Sequence, residues 1–328
     1  MSEVRTQSAV PDAAAARLMR RATYAAVGVA GVLVLLKVAA YLITGSVALL
    51  SSLIDSALDA AASLVNLVAV RQALQPADPE HRFGHGKAEP LAGLGQAAFI
   101  TGSSVFLIVE ALGRLLSPAP VTEGGVGIVV MLFAIVATFV LVGYQRHVVA
   151  RTGSVAIAAD GVHYTGDVLI NLSVIASIVL ADYLGFGYAD PLFALAIAAY
   201  LLFNARGIFR SSLDLLMDRE LPDADRARIL SMARAHPQVV DAHDLRTRSS
   251  GQQTFIQLHL EMAPHLPLVE AHTVAEQVAA QIRRSYPRAD VLIHQDPAGL
   301  AERHHDALAY RDRAAAPVVA PQHPGLGE

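Results

Sequence analysis

The first two thirds of the chain alternate long apolar runs with short polar connections. A helix needs roughly twenty apolar residues to cross a bilayer. The runs that are long enough cover about 23–43, 47–71, 89–113, 125–147, 154–180 and 188–209. Only Thr44-Gly45-Ser46 joins the first two runs, which indicates a tight helical hairpin. The pattern therefore predicts an all-α bundle of six transmembrane helices.

After Arg210 the pattern becomes typical of a small soluble domain. Helical periodicity and alternating segments follow one another over 223–235, 239–247, 254–262, 269–286 and 289–294. The alternating segments surround the turn Ser249-Ser250-Gly251 and predict strands. The order αββαβ predicts a C-terminal α+β domain of metallochaperone-like type, with its helices on one face of the sheet.

Basic residues orient the predicted spans in the membrane, and composition divides the chain into regions. The positive charges that flank the spans on one side are Arg17, Arg20, Arg21, Arg71, Arg82, Lys87, Arg146, Arg151, Arg206 and Arg210. The opposite loops hold Arg114 alone, so the positive-inside rule places both termini in the cytoplasm. The predicted regions are an N-terminal cytoplasmic segment (1–22), a transmembrane domain (23–210), a cytoplasmic domain (211–300) and a disordered, Ala- and Pro-rich tail (301–328). The N-terminal segment lacks the pattern of a signal peptide.

Composition narrows the chemistry. Hydrophobic residues make up 54% and charged residues 16%, whereas soluble chains carry about 25% charged residues. The absence of Cys excludes disulfides and thiolate metal sites, so any metal must be held by carboxylates and by some of the 13 His. A net charge of −4 does not indicate nucleic-acid binding. The sequence also contains no nucleophile pattern and no phosphate-binding loop that would indicate an enzyme.

Two carboxylates lie inside the second apolar run. Asp55 and Asp59 are its only charges over 46–70, and four residues apart they share one helix face. Charge in hydrocarbon is costly and usually marks an ion path, and two like charges repel unless a cation or proton lies between them. The pair predicts a cation within the membrane. Lys37 and Glu110 lie nearer the outer ends of their spans, where snorkelling is the ordinary explanation.

The fifth run carries a second polar cluster. Asp160, His163 and Asp167 fall within roughly 60° of one another around a helix. With Asp55 and Asp59 on a facing helix, His163 and Asp167 would complete three carboxylates and one imidazole, which suits Zn²⁺ and tolerates other divalent transition metals. Asp160 either lines an entry path, caps the helix or binds metal. The alternative for all of them is hydrogen bonding between helices.

At this point the chain resembles the cation diffusion facilitators, and most of all their bacterial zinc and ferrous-iron efflux pumps. The resemblance spans about residues 20–300. The motifs that carry it are Asp55/Asp59, Gln75-Pro-Ala-Asp78-Pro-Glu-His81-Arg-Phe-Gly-His85-Gly-Lys87-Ala-Glu89, Asp160-Gly-Val-His163-Tyr-Thr-Gly-Asp167, Ala242-His243-Asp-Leu-Arg-Thr-Arg, His259-Leu-Glu261, Ala271-His272 and Ile293-His294-Gln-Asp296-Pro. It implies a homodimer in the bacterial inner membrane that exchanges divalent metal for protons. It also implies a transport site formed by Asp55, Asp59, His163 and Asp167.

The resemblance implies further sites on the cytoplasmic side. A loop metal site would use Asp78, His81 and His85, whose alternative is an ordinary solvated loop. A two-metal site in the dimeric cytoplasmic domain would use His243, His259, His272, His294 and Asp296, whose alternative is surface or structural His. Lys87 and Asp218 would form a charge pair that locks the membrane helices near the dimer axis, and the alternative is two independent charges.

The expected function is efflux of divalent metal, foremost Zn²⁺ with Fe²⁺ and Cd²⁺ as further substrates, by proton antiport with alternating access. The same ions would also serve as structural or regulatory metals in the cytoplasmic site. The alternative is a membrane metal sensor that binds without transport. An intramembrane metallohydrolase is disfavoured, because four protein ligands leave no open position for water on zinc.

Overall fold

The computed structural model describes residues 13–299 except 46, 117–124, 185 and 187. It divides into two compact units, of which the first reaches Asp218 and includes Ser250–Gln253. The second comprises Arg219–Ser249 and the chain from Thr254 onward. The boundary thus lies beyond the predicted 210. The predicted disordered tail, 301–328, lies outside the described residues, as does the start of the predicted N-terminal segment.

The first unit is built from long helices. They are α1 (Ala13–Thr44), α2 (Val47–Ala73), α3 (Ala88–Leu116), α4 (Gly125–Thr152), α5 (Val155–Leu184) and α6 (Ala189–Leu216). Six helices among the described residues are long and apolar enough to cross a membrane, which confirms the predicted spans. The first helix begins well before its predicted apolar run, so the basic residues Arg17, Arg20 and Arg21 are helical.

Helix α5 lies at the centre of this unit and contacts α1, α2, α3, α4 and α6. Small residues permit close packing: a Cβ at Gly166 would lie 2.9 Å from Leu201 Cδ2 on α6. Ala159 and Leu201 belong to a buried cluster shared by α3, α5 and α6. Large apolar side chains such as Phe106 and Phe203 are instead exposed on the outside, as expected of surfaces that face lipid. Polar residues of α5 therefore lie among helices rather than among lipid.

The second unit has the predicted order αββαβ. Its elements are α7 (Asp223–Arg234), β1 (Val239–Ser250), β2 (Gln253–Met262), α8 (Leu268–Ser285) and β3 (Ala289–Pro297). The strands lie in the order β1-β2-β3. Strand β1 runs to Ser250, beyond its predicted end, since the turn is made at Gly251 with a φ of 57°.

The sheet has a core face and a polar face. Ile256, Leu258 and Leu260 of β2 are buried with Val278 and Ile282 of α8. Because successive residues of a strand point to opposite faces, His259 and Glu261 lie on the other side. Strands β2 and β3 are parallel, with His259 beside His294 and Glu261 beside Asp296. This register collects polar side chains on the face away from the helices.

Candidate metal sites

Three of the predicted transmembrane ligands converge between α2 and α5. His163 Nε2 lies 3.0 Å from Asp59 Oδ1 and 3.8 Å from Asp167 Oδ2. One ligand atom from each lies within 4.8 Å of the others. His163 is 8% exposed, and its ring packs edge-on against Phe99. Two carboxylates and an imidazole at this spacing can hold a divalent transition metal.

Asp55 lies outside this cluster. It is an exposed residue of α2, one turn from Asp59. Four residues of helix separate two Cα atoms by about 6 Å along the axis and about 40° around it. The long imidazole of His163 spans the equivalent step to Asp167, whereas the short side chain of Asp55 does not reach the shared centre. The structure thus brings three of the four predicted ligands together, and the role of Asp55 stays a prediction.

Asp160 belongs to a hydrogen-bonded network beside the cluster. Its Oδ2 accepts a hydrogen bond from Gln145 Nε2 at 2.6 Å, and its Oδ1 accepts one from Ser63 Oγ at 3.3 Å. Ser63 Oγ also lies 2.7 Å from Tyr164 OH. Asp160 is 1% exposed, so both carboxylate oxygens are engaged by neutral groups inside the bundle. The alternative interpretation, hydrogen bonding between helices α2, α4 and α5, fits these contacts of Asp160 better than a role in the entry path, in helix capping or in metal binding.

The contacts of Lys37 and Glu110, the two charged residues expected to snorkel, were not predicted from the sequence. Lys37 Nζ donates to Ser56 Oγ at 2.7 Å and to Ser52 O at 3.0 Å, so it faces α2 rather than the outer end of its own helix. Residues at similar distances from the turn of a helical hairpin lie side by side, and counting from Gly45 would have paired Lys37 with this stretch. Glu110 binds Arg114 Nε at 2.9 Å, four residues further along α3.

The predicted loop ligands lie together after α2. His81 Nδ1 is 3.2 Å from Asp78 Oδ1, and His85 Nε2 is 3.4 Å from Asp78 Oδ2. The backbone N–H of His81 donates to Asp78 Oδ1 and lowers the pKa of that carboxyl group. Gly84, with a φ of 78°, turns the chain so that His85 approaches Asp78. The His85 side chain is 6% exposed and its Nδ1 has no hydrogen-bond partner, which leaves this ring nitrogen open to a proton or a metal.

The predicted charge pair at the edge of the bundle is also in contact. Lys87 Nζ lies 3.0 Å from Asp218 Oδ1, and it donates to Leu216 O at 3.4 Å. The pair joins the residue before α3 to the chain just after α6. Both side chains are about half exposed, so water screens the pair and its contribution to stability is small.

On the polar face of the C-terminal sheet, His243, His259 and Asp296 form a third cluster. Asp296 Oδ2 lies 2.8 Å from His259 Nδ1 and 3.7 Å from His243 Nε2. Asp296 Oδ1 lies 3.1 Å from His294 Nε2. One carboxylate therefore approaches three imidazoles, which is the donor arrangement expected where a carboxylate bridges metals. His272 is exposed on α8 and lies outside this group.

Two further carboxylates lie at this cluster that were not among the ligands predicted from the sequence. Glu261 Oε1 lies 3.5 Å from His243 Nδ1, and Asp244 Oδ2 lies 3.6 Å from His259 Nε2. The strand alternation that links His259 to Glu261 would have found the first. Asp244 has a φ of 46°, which breaks the alternation of β1 and hides the residue from a pattern of period two.

Comparison with known proteins matches both units to one family. The model of the cation efflux transmembrane domain matches residues 23–217, and the model of the cation efflux protein cytoplasmic domain matches residues 221–298. The chain is 50% identical over 287 residues to the cation-efflux pump FieF of Citrobacter koseri, with 88% of this chain and 95% of that protein covered. FieF of Escherichia coli K12 is 48% identical over 287 residues, with the same 88% and 95% covered.

Similar solved structures cover about a quarter of this chain. The zinc form of CzrB, described as a putative zinc transporter, is 27% identical with a TM-score of 0.25, covering 26% of this chain and 99% of that one. A nickel form of a MamM C-terminal domain is 23% identical with a TM-score of 0.22, covering 23% and 98%. The two family models together span nearly all the described residues in the expected order. The chain therefore belongs to the cation diffusion facilitator family, and it is a multi-pass membrane transporter for the efflux of divalent metal cations rather than an enzyme.

Proposed function

We propose that this transporter exports Zn²⁺ from the cytoplasm in exchange for protons, as a homodimer that alternates between inward- and outward-facing states. The observation that carries the proposal is the convergence of Asp59, His163 and Asp167 inside the helix bundle. A cation-binding group among membrane-spanning helices is what transport of a cation through the bundle requires.

The donor set supports zinc as the first substrate. Imidazole and carboxylate ligands suit Zn²⁺, and carboxylate-rich sites also accept Fe²⁺ and Cd²⁺. The C-terminal cluster of His243, His259 and Asp296 has the same donor types. Zinc arriving there would act as a structural or regulatory ion, whereas zinc at the transmembrane cluster would be cargo.

Exchange for protons follows from the chemistry of the ligands. Metal binding requires a neutral imidazole and ionised carboxylates, so protons and metal compete for the same atoms. Protons that bind to the ligand atoms would therefore displace the metal. A proton gradient directed inward would therefore favour metal release on the outer side.

The homodimer and the location rest on different observations. The family model that matches the C-terminal unit carries the name ZT_dimer, which supports dimerisation. The basic residues beside the spans support an orientation with both termini in the cytoplasm, and we place the transporter in the bacterial inner membrane.

The test is zinc flux in proteoliposomes with and without a pH gradient. We expect Asp59→Asn and His163→Ala to lower flux at least tenfold, since each removes one of a few ligands. Asp223→Asn is the matched control, because this carboxylate at the start of α7 is fully exposed. Parental flux in Asp59→Asn would contradict the transport site, and flux unaffected by the pH gradient would contradict proton exchange.

The alternative function, a metal sensor, has support from the C-terminal cluster, whose donor atoms can hold a metal without any path across the membrane. The same vesicles distinguish the two functions. A sensor would bind zinc at His243, His259 and Asp296 and show no flux above empty liposomes.

A further inference from the structure

Burial along the facing sides of α2 and α5 differs between the two ends of the transmembrane cluster. Towards the basic residues that flank the spans, Ser63 of α2 and Asp160 of α5 are each 1% exposed. Within the cluster, the side chains of Asp59 and Asp167 are 20% and 28% exposed. We place the basic ends of the helices in the cytoplasm, so the described structure is closed on the cytoplasmic side of the cluster.

A polar network forms this closure. Ser63 Oγ donates to Asp160 Oδ1 at 3.3 Å and lies 2.7 Å from Tyr164 OH. A hydroxyl carries one proton, so the Ser63 oxygen accepts the proton of Tyr164 while it donates its own to Asp160. Both partners belong to α5, whereas Ser63 belongs to α2. One hydroxyl of α2 therefore holds α5 by two hydrogen bonds. Asn66 Nδ2 adds a third, one turn further along α2, to Ala156 O at 3.4 Å.

The network lies one turn from the metal ligands on both helices. Ser63 follows Asp59 by four residues, and Asp160 precedes His163 by three. A step of three or four residues keeps a side chain on the same helix face, so these hydrogen bonds span the gap between α2 and α5 that also holds the ligand cluster. Metal that approaches the cluster from the cytoplasm along this gap has to separate Ser63 from α5.

Building on the proposed alternating access, we propose that Ser63, Asp160 and Tyr164 form the cytoplasmic gate of the transport site. The gate is closed while the Ser63 hydroxyl bridges α2 and α5. It opens when both hydrogen bonds of this hydroxyl break and metal enters from the cytoplasm. In this role the three residues do not bind metal, but they decide when cytoplasmic metal reaches Asp59 and His163.

Hydrogen bonds suit a gate that has to open repeatedly. Water that fills the opened gap replaces each broken bond, so opening costs much less than leaving the same polar groups without partners. Asp160 stays in place when α2 moves away, because its Oδ2 accepts from Gln145 Nε2 of α4 at 2.6 Å. The gate therefore breaks at Ser63, and the carboxylate remains attached to α4.

The test measures access to this gap with a single introduced thiol, since the full-length chain has no Cys. The reporter is Ala156→Cys, at a 1% exposed position four residues before Asp160 that packs with Val70 of α2. Inside-out membrane vesicles present the cytoplasmic face to a membrane-impermeant maleimide. We expect Tyr164→Phe to raise the labelling rate of this reporter about fivefold and Ser63→Ala at least tenfold, because they remove one and two hydrogen bonds from the closed state.

Two controls separate a gate from a general loosening of the bundle. Ser177→Ala removes another buried hydroxyl of α5, which donates to Ser173 O of the same helix, and it should leave the labelling rate of the reporter unchanged. Val174→Cys, seven residues beyond Asp167 on the outer side, is a second reporter and is labelled in right-side-out vesicles. Neither gate variant should raise the labelling rate at this outer position.

A parental labelling rate of Ala156→Cys in both gate variants overturns the proposal. A rise at both reporters, or an equal rise with Ser177→Ala, overturns it as well, because either result means loosening without a gate. Tyr164→Phe decides the matter if Ser63→Ala does not fold. Labelling requires no zinc flux, so failure of the proposed function is seen separately: parent vesicles would then carry no zinc, while the labelling rates still show whether the network closes the cytoplasmic side.

Discussion

The carboxylate of Glu89, at the start of α3, accepts hydrogen bonds from the Ser154 hydroxyl and from the backbone N–H groups of Val155 and Ala156. These N–H groups begin α5, where no residue of the helix itself can accept from them. Ser154 completes the arrangement, since its Oγ accepts from the N–H of Ile157 and its carbonyl from the N–H of Ala158. A residue of one helix thus caps the helix that carries His163 and Asp167.

We expect Glu89→Ala to destabilise the protein by about 2–3 kcal/mol, because buried N–H groups lose their acceptor and a favourable charge leaves the helix N-terminus. Glu89→Gln, which keeps one acceptor oxygen, should cost about half as much. The matched control is Glu270→Gln, an exposed acidic residue in the first turn of α8. Thermal unfolding followed by circular dichroism is the suitable measurement, because the chain has no Trp. Equal midpoints for Glu89→Ala and the control would show that the cap does not hold α5.

The contacts of Glu89 show which parts of the structure a pattern can predict. Long apolar runs fix the six spans, and residues four apart fix the ligand face of α5, because both depend only on helix geometry. The contact of Glu89 joins residues of α3 and α5 that are far apart in sequence, and no periodicity records it. The contact of Lys37 with Ser56 lies across the hairpin and escapes helical periodicity too, but counting from the turn at Gly45 would have found it. Asp55 shows a different limit of sequence patterns. It shares a helix face with Asp59, but it lies one turn along the helix and therefore outside the ligand cluster.

Asp160 should behave as a network residue and not as a ligand. Asp160→Asn keeps the size of the side chain and one acceptor, so zinc affinity at the transmembrane site should stay within about threefold of the parent, whereas Asp59→Asn should lose it. Asp160→Ala should instead lower the thermal midpoint, because Gln145 and Ser63 lose a buried partner at a cost of about 1–3 kcal/mol. Calorimetry with zinc separates the two roles. Loss of affinity in Asp160→Asn comparable with that in Asp59→Asn would make Asp160 a ligand.

The lowered pKa of Asp78 predicts how the loop responds to acid. The N–H of His81 stabilises the ionised carboxylate, so the charge of Asp78 persists below the ordinary Asp pKa of about 3.9. Stability that depends on this charge is complete above that value and is lost only as the pH falls through the lower folded pKa. Asp78→Asn should therefore weaken zinc binding at the loop by the same factor at pH 5.5 as at pH 7.5.

Loop binding is measured as the zinc affinity that His85→Ala removes from the full-length chain. Protonation of the imidazoles lowers the zinc affinity of the parent and of Asp78→Asn by the same factor. The ratio of the two zinc affinities therefore reports only the contribution of the Asp78 carboxylate. A ratio that approaches one at pH 5.5 would mean that Asp78 is already protonated there, against the lowered pKa.

The contact between Lys87 and Asp218 should matter for transport more than for stability. Both side chains are about half exposed, so breaking the pair should cost less than about 1 kcal/mol of unfolding free energy. If the pair locks the membrane helices, Lys87→Asp and Asp218→Lys should each reduce zinc flux, since each places two like charges at the contact. The double variant restores an opposite-charge pair and should recover most of the flux. A double variant as slow as the slower single variant would assign the two residues independent roles, because only a pairwise interaction produces recovery.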